Sequence, residues 1–93
     1  MSLIKILPSF ERSVKKLTPY EKKILANSLE KLNFFLVTRQ SPGGFRFKKI
    51  NHDKYEFRAD ARLRVVIKKE NDTYYLVLTG DHNSIKQYLR NFR

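Results

Sequence analysis

The chain contains no cysteine among its 93 residues. Disulfide bonds, a thiolate nucleophile and cysteine-based zinc sites are therefore excluded, and a reducing compartment such as the cytoplasm is expected. No segment approaches the roughly 20 consecutive apolar residues of a membrane-spanning helix. The apolar run at the start of the chain is also too short for a secretory signal. We therefore expect a protein that is neither exported nor inserted into a membrane.

Acidic residues are scarce: 9 Asp and Glu stand against 20 Lys and Arg, so the formal net charge is +11 and the pI is about 10.1. The excess is spread along the chain, +5 over residues 1–44 and +6 over residues 45–93. It therefore belongs to the folded surface and not to a tail. A positive field attracts polyanions such as nucleic acid, anionic lipid or an acidic protein, although part of the excess positive charge can be explained by solubility.

Aromatic and apolar residues are plentiful enough to build a core. The chain has seven Phe and five Tyr and is 41% hydrophobic, whereas disordered chains combine high charge with few aromatics. Its length falls within the usual size of one folding unit. We expect residues 1–93 to form a single domain.

The start of the sequence predicts a short strand followed by a short helix. Residues 3–7 are rich in β-prone apolar residues, and Pro8 is expected to end the strand. Ser9 is the candidate N-cap of the helix, whose apolar residues recur at i, i+4 and i+7 up to Leu17.

A second, longer helix is predicted directly afterwards. Thr18, Pro19 and Glu21 supply an N-cap hydroxyl, a proline at the first helical position and the glutamate of a capping box. An apolar stripe at helical spacing continues to Val37. Residues 39–44 contain two of the three glycines and a proline, so the helix is expected to end there and to form a hairpin with the first.

After residue 44 the apolar period changes to two, which predicts strands. Four segments alternate in this way, with turn sequences between them: residues 45–48, 55–59, 62–68 and 74–79. A short terminal helix follows Gly80. The predicted fold class is α+β, with an N-terminal strand and a two-helix hairpin that packs on a mainly antiparallel sheet of four or five strands, and a short C-terminal helix.

The strand phase that buries the apolar residues under the helices brings charged side chains together on the opposite sheet face. Six cations and one carboxylate are predicted to share this face: Arg46, Lys48, Glu56, Arg58, Arg62, Arg64 and Lys68. Strands that are solvated on one side usually mix charge signs. We interpret the face as a surface for a charged ligand, with Arg46, Lys48, Arg62 and Lys68 as RNA contacts.

These residues suit RNA cleavage by the RNA's own 2′-hydroxyl, which needs no metal or cofactor. The reaction requires a proton acceptor, stabilisation of a phosphorane-like transition state, and an acid for the departing 5′-oxygen. Arg58 and Arg64 suit the second task because a guanidinium matches phosphate oxygens. His82, in the loop before the last helix, and Glu56 are candidates for the proton transfers.

The sequence leaves structural alternatives open at this site. Glu56 can instead make an ion pair with a neighbouring arginine, and His82 is incidental if Asp81 or Asn83 simply caps the last helix. The choice between Glu56 and Asp81 as base is also open. The chain has no glycine-rich phosphate loop, HExxH helix or nucleophile elbow, so metal- and nucleotide-dependent enzymes are disfavoured and no cofactor or metal is expected.

Four segments, taken in order, resemble the RelE/ParE superfamily of small toxins from toxin–antitoxin systems: PSFERSVKKL, TPYEKKI, KKINHDKYEFRADARLRVVI and YYLVLTGDHNSIKQYL. The resemblance covers most of the chain and depends on the order and spacing of the segments. It implies the RelE-like fold and the toxin of a type II system, a ribosome-dependent mRNA endoribonuclease that needs no metal. It also implies three partners, namely a cognate acidic antitoxin, mRNA and the ribosome.

The resemblance further implies that Arg58, Arg64, His82 and Tyr88 line the mRNA site. Glu56 stands where some members have Lys, and His82 stands where some have Arg. Other ribosome-dependent members use a Glu and a His as their acid–base pair, so the departures imply altered chemistry. Tyr88 fits core packing of the last helix as well as substrate stacking.

Two other functions stay open. ParE-like members of the superfamily inhibit DNA gyrase and lack the arginine and acid–base set, so Arg58, Arg64 and His82 favour the nuclease. A non-catalytic homologue that binds RNA or protein is the third possibility, and His82 would be dispensable in it.

Overall fold

The structure, a computed structural model, describes residues 3–40, 48–50 and 52–91. Its elements follow in this order: β1 (Leu3–Ile6), α1 (Pro8–Lys15), α2 (Pro19–Thr38), β2 (Lys48–Lys49), β3 (Lys54–Arg58), β4 (Arg64–Glu70), β5 (Thr73–Gly80) and α3 (His82–Asn91). The predicted α+β class is confirmed. None of the described helices combines the length and the apolar character needed to cross a bilayer.

The described strands form a five-stranded mixed sheet in the order β1-β5-β4-β3-β2. β1 runs parallel to β5, and every other neighbouring pair is antiparallel. The β4–β5 ladder contains an irregularity, because Val66 pairs with Leu78 whereas Ile67 pairs with Leu76. Val77 is therefore the extra residue of a β-bulge, and it faces the same side as its neighbour Leu78.

The larger core lies between the α1–α2 hairpin and one face of the sheet. Ten buried residues form it: Phe10, Leu25, Leu32, Leu36, Phe57, Leu63, Val65, Ile67, Tyr74 and Leu76. The helical members recur at the spacing that predicted the apolar stripe, and Phe57, Val65 and Ile67 lie on the strand phase that predicted burial. The predicted hairpin-on-sheet packing is confirmed.

A second, smaller core lies on the opposite face of the sheet, where α3 packs. Val66, Val77 and Ile85 are its buried members. The face on which the charged residues were predicted therefore has an apolar centre, because Val66 lies in phase with Arg64 and the bulge turns Val77 to the same side. β4 is thus covered on both faces at its centre, in the manner of a fully buried strand.

The start of α1 differs from the prediction. β1 ends at Ile6, just before Pro8, but Pro8 is also the first residue of the helix, so Leu7 and not Ser9 occupies the N-cap position, without a side-chain hydrogen bond. Proline is tolerated there because the first helical N–H groups have no partner within the helix. The hydroxyl of Ser9, the predicted cap, instead donates to the Val77 carbonyl at 2.6 Å. Ser9 therefore fastens α1 to the sheet and does not cap the helix.

The predicted boundaries of α2 are confirmed. The Thr18 hydroxyl accepts from the Glu21 N–H at 3.1 Å, and the Glu21 carboxylate accepts from the Thr18 N–H at 2.8 Å. This reciprocal pair is the capping box. At the other end, Arg39 adopts a left-handed conformation with φ 62° and donates its N–H to the Phe35 carbonyl, which closes the helix.

Some predictions fall outside the described residues. They concern Phe45, Arg46 and Phe47 in the first predicted strand and Phe92 in the last predicted helix. Of that strand the structure describes Lys48, which is the first residue of β2.

Replacing Leu32 tests the larger core. Leu32 has no exposed surface, whereas Val37 on the same helix is 73% exposed. Leu32→Ala should lower the free energy of unfolding by about 2–5 kcal/mol, because it removes buried methyl groups and leaves a cavity. Val37→Ala should change it by less than about 0.5 kcal/mol. Urea denaturation followed by circular dichroism measures both values, and equal losses for the two variants would contradict the packing described.

Candidate functional site

The sheet face opposite the α1–α2 hairpin carries a set of charged side chains. Three charged cross-strand pairs lie on it: Lys48 with Glu56, Lys54 with Lys68, and Arg58 with Arg64. Partners in a ladder point to the same side of a sheet, so these six residues form one surface, here called the cationic face. Lys54 was missed from the sequence because it was assigned to a turn, although it lies in phase with Glu56 and Arg58.

Arg62 does not lie on the cationic face, and its predicted place in a strand was wrong. β4 begins at Arg64, and Arg62 belongs to the turn between β3 and β4. The Asp60 carboxylate holds this turn, because it accepts from the N–H groups of Arg62 at 2.9 Å and Leu63 at 2.7 Å. An aspartate that bonds to the backbone two and three residues on takes those residues out of the ladder. Arg46, also predicted for this face, lies outside the described residues.

Like charges stand directly opposite each other twice on this face, an arrangement that destabilises an antiparallel pair. In the Lys54–Lys68 pair, a nearby carboxylate partly neutralises each ammonium group. The Lys54 ammonium lies 3.3 Å from the Asp53 carboxylate, and the Lys68 ammonium lies 3.3 Å from that of Glu70. These side chains are partly solvated, so each contact contributes little to stability.

Arg58 and Arg64 form the other like-charged pair, and Glu56 compensates it. The Nη1 of Arg64 donates to the Glu56 Oε1 at 2.9 Å, and the two side chains are only 16% and 9% exposed. The structure thus realises the ion pair that the sequence analysis held open for Glu56. The Nε of Arg64 is buried and has no hydrogen-bond partner among the described residues.

His82 lies at the end of the sheet where Arg64 begins its strand. Arg64 pairs with Gly80 in the ladder, and His82 is the exposed first residue of α3, two positions beyond Gly80. A depression of about 190 Å³ joins this helix start to the turn after β3, and it is lined by Ala61, Arg62, Asp81, His82 and Asn83. Arg62 therefore meets His82 here, even though it does not reach the cationic face.

Asp81 is the N-cap of α3. Its carboxylate accepts from the Ser84 N–H at 2.8 Å, and its carbonyl accepts from the Ile85 N–H at 3.1 Å. The hydrogen bonds from Ser84, with a smaller contribution from the charge of His82, hold the pKa of Asp81 below its usual range. A carboxylate with a lowered pKa is a weaker base, so this geometry disfavours Asp81 as the proton acceptor.

Tyr88 both packs against a core and lines a groove, so both of the roles that the sequence left open for it are compatible with its position. Its half-buried ring packs against the second core, beside Ile85. It also lines a groove of about 410 Å³ that reaches from α1 to α3 and includes Lys16, Asp81 and Gln87. Lys16 and Gln87 carried no sequence signal for this groove, because their meeting depends on how α3 docks.

The groups at this end of the sheet can bind an anion and move a proton beside it. Arg58, Arg62 and Arg64 are donors for phosphate oxygens, and the imidazole of His82 is a group that can accept or donate a proton. Across residues 3–40, 48–50 and 52–91, no group of three or more His, Asp or Glu side chains is arranged to hold a metal ion.

No protein-family model matches the sequence, and no curated protein matches it. Solved structures do match. The toxin of the RelB–RelE antitoxin–toxin complex from Methanococcus jannaschii superposes with a TM-score of 0.68 at 17% identity, over 90% of this chain and 96% of that chain. The chain has the RelE-like toxin fold. The RelE-like fold implied by the sequence resemblance is thereby confirmed.

Two further structures share the RelE-like fold. The YafQ toxin of the Escherichia coli DinJ–YafQ complex gives a TM-score of 0.68 at 14% identity, over 91% of this chain and 98% of that chain. The isolated Escherichia coli RelE toxin gives 0.61 at 12% identity, over the full length of both chains. At such low identity the likeness concerns the fold, and the chemistry of this chain has to be argued from its own residues.

The cap at Asp81 can be tested through its pH dependence. Asp81→Ala should lower the free energy of unfolding at neutral pH by about 0.5–2 kcal/mol, the usual cost of losing an N-cap. Because the folded-state pKa of Asp81 is lowered, this contribution is complete above the usual Asp range and is lost as the pH falls through the folded-state value. The difference between wild type and variant should therefore shrink in acid.

Urea denaturation at neutral and acidic pH measures this difference. Asp81→Asn is the matched control, since an asparagine oxygen also caps a helix, and it should lose much less stability at neutral pH than the alanine variant. A difference that stays constant with pH would contradict the assignment of Asp81 as a charged cap.

Proposed function

We propose that this chain is the toxin of a type II toxin–antitoxin system and that it cleaves mRNA on the ribosome, in the cytoplasm, as a metal-independent endoribonuclease. The RelE-like fold and the order of its sequence motifs support the first part. One observation carries the second: the ladder sets Arg58 directly opposite Arg64 at the sheet end where α3 begins with His82. Two adjacent guanidiniums beside an imidazole suit a scissile phosphodiester.

The proposed reaction is an internal phosphoryl transfer. The 2′-hydroxyl loses its proton to a base and attacks the adjacent phosphorus, which becomes five-coordinate and gains negative charge. The bond from phosphorus to the 5′-oxygen then breaks, and that oxygen takes a proton from an acid. The products are a 2′,3′-cyclic phosphate and a 5′-hydroxyl.

Each side chain has a proposed role in this reaction. Arg58 and Arg64 bind the non-bridging oxygens and stabilise the charge that develops on them, since guanidiniums stay protonated at any working pH. His82 exchanges a proton at the 2′- or the 5′-oxygen. Tyr88, on the groove side of α3, stacks on a base of the RNA.

The cationic face extends the proposed RNA contact beyond the scissile phosphate. Lys48 and Lys68 lie on the same sheet face as the arginine pair, and Arg62 reaches the His82 depression from the turn. Phosphate contacts of this kind position RNA without reading its sequence. They also suit ribosomal RNA around the bound message.

An acidic antitoxin is the proposed protein partner. Two of the similar structures are complexes, of RelE with RelB and of YafQ with DinJ. The net charge of +11 would accelerate encounter with an acidic chain. An apolar groove of about 430 Å³ between β1 and the helical hairpin, lined by residues that include Phe10, Val14 and Leu29 and bordered by Lys15 and Lys22, offers such a partner both apolar contact and cations.

The proposed activity predicts cuts in translated messages. After brief induction in growing cells, wild type should produce new mRNA 5′ ends at fixed codon positions. Arg64→Ala should reduce them by about 10²–10³-fold, because it removes a donor to the transition-state charge. His82→Ala should reduce them by about 10²–10⁴-fold, because it removes a proton-transfer group. Sequencing of mRNA 5′ ends measures the cuts.

Lys23→Ala is the control, because Lys23 is exposed on α2, away from the cationic face, and it should leave the cuts unchanged. Growth arrest with intact mRNA and lost DNA supercoiling would contradict the nuclease and favour gyrase inhibition. Growth arrest that persists in both active-site variants would favour the non-catalytic binding homologue.

A further inference from the structure

Arg64 is the more buried of the two arginines on the cationic face. Its side chain is 16% exposed, whereas Arg58, directly opposite in the ladder, is exposed. Repulsion from Arg58 would drive a flexible arginine towards solvent. The Glu56 carboxylate, bonded to Nη1 at 2.9 Å, opposes this repulsion.

Glu56 is itself fixed in place. The residue is 7% exposed and lies on β3, where it pairs with Lys48 on β2 at one side and with Val66 on β4 at the other. If the Glu56 carboxylate left Arg64 to approach a 2′-hydroxyl, the buried guanidinium would lose its counter-ion, which is strongly unfavourable. A carboxylate in this position is suited to hold an arginine and poorly suited to collect a proton from a substrate.

The Arg64 guanidinium carries five N–H donors in one plane, and Nη1 is engaged by Glu56. The Nε is buried, so it is not the donor that a ligand from solvent reaches. The remaining Nη N–H groups are the donors left for such a ligand, and a phosphate oxygen is the acceptor that an arginine binds most strongly.

We propose that Glu56 is a positioning residue, which fixes the Arg64 guanidinium through Nη1 so that its remaining Nη N–H groups bind a phosphodiester oxygen of RNA. Glu56 is then not the base of the reaction, and the proton acceptor lies elsewhere at the site. The inference rests on the proposed function for its substrate, RNA, while the arrangement of the pair rests on geometry alone.

Cleavage by the purified protein on mRNA-programmed ribosomes separates the two roles of Glu56. Glu56→Gln keeps an oxygen that accepts from Nη1, so it should retain the rate within about tenfold and leave the pH profile unchanged, whereas Glu56→Ala should lose about 10²-fold or more, like Arg64→Ala. The double variant Glu56→Ala/Arg64→Ala should be no slower than Arg64→Ala alone. Glu30→Gln, on the exposed side of α2 and away from the cationic face, is the control and should match wild type.

The opposite pattern would overturn the proposal. If Glu56 is the base, Glu56→Gln should lose about 10²–10⁴-fold in rate, and the acidic limb of the pH profile should disappear. Binding of a 2′-O-methyl RNA, which cannot be cleaved, should then be unaffected by the same substitution. Circular dichroism of each variant establishes that it is folded before its rate is compared.

A second measurement does not depend on cleavage. In ¹⁵N-labelled protein, the Arg64 guanidinium resonances should shift when the 2′-O-methyl RNA is added to wild type or Glu56→Gln, and the affinity for this RNA should fall in Glu56→Ala. Guanidinium resonances that do not respond to RNA would refute the proposal, even if mRNA is cleaved. Conversely, if RNA shifts these resonances but wild type does not cleave mRNA, the proposed endoribonuclease activity is refuted and the positioning of Arg64 by Glu56 is still supported.

Discussion

Burial of β4 on both sides is the constraint on which the rest of the molecule depends. Val65 and Ile67 face the hairpin core, and Val66 faces the core under α3. The strand can accept charged side chains only near its ends, where Arg64 and Lys68 lie. The same arrangement that stabilises the sheet therefore places the cations of β4 on this face on either side of an apolar centre.

The position of α3 connects this core to the candidate site. Ile85 anchors the helix on the sheet, and the Asp81 cap fixes where the helix begins. His82 directly follows this cap residue, so the start of the helix also fixes the position of His82 beside the turn that contains Arg62. Glu56 performs the corresponding task on the sheet, because it holds Arg64 beside a repelling neighbour. Two carboxylates thus organise the proposed cations and imidazole while remaining committed to structural bonds.

Much of this fold was predictable from local patterns, since helical spacing, the Thr18 capping box and the alternation in β3 and β4 each act within a few residues. One feature that escaped prediction depends on a distant part of the chain, because the bond from Ser9 to β5 requires a strand nearly seventy residues after the helix. The others are local but are not visible in the alternation of apolar residues, as with the bulge at Val77. Arg62 was misplaced because alternation does not reveal the Asp60 turn. The sequence indicated that Glu56 lies among arginines, but the ladder pairs it with Lys48 and Val66, and only the side-chain geometry of the folded sheet identifies Arg64 as its partner.

The central claim is that these residues cleave RNA through its own 2′-hydroxyl. The most direct measurement is the chemistry of the ends that the purified protein produces on mRNA in a translation system assembled from purified components. The account predicts fragments with a 2′,3′-cyclic phosphate at one side of each cut and a 5′-hydroxyl at the other, formed only while ribosomes occupy the message. Intact mRNA, or fragments that end in a 3′-hydroxyl and a 5′-phosphate, would contradict it.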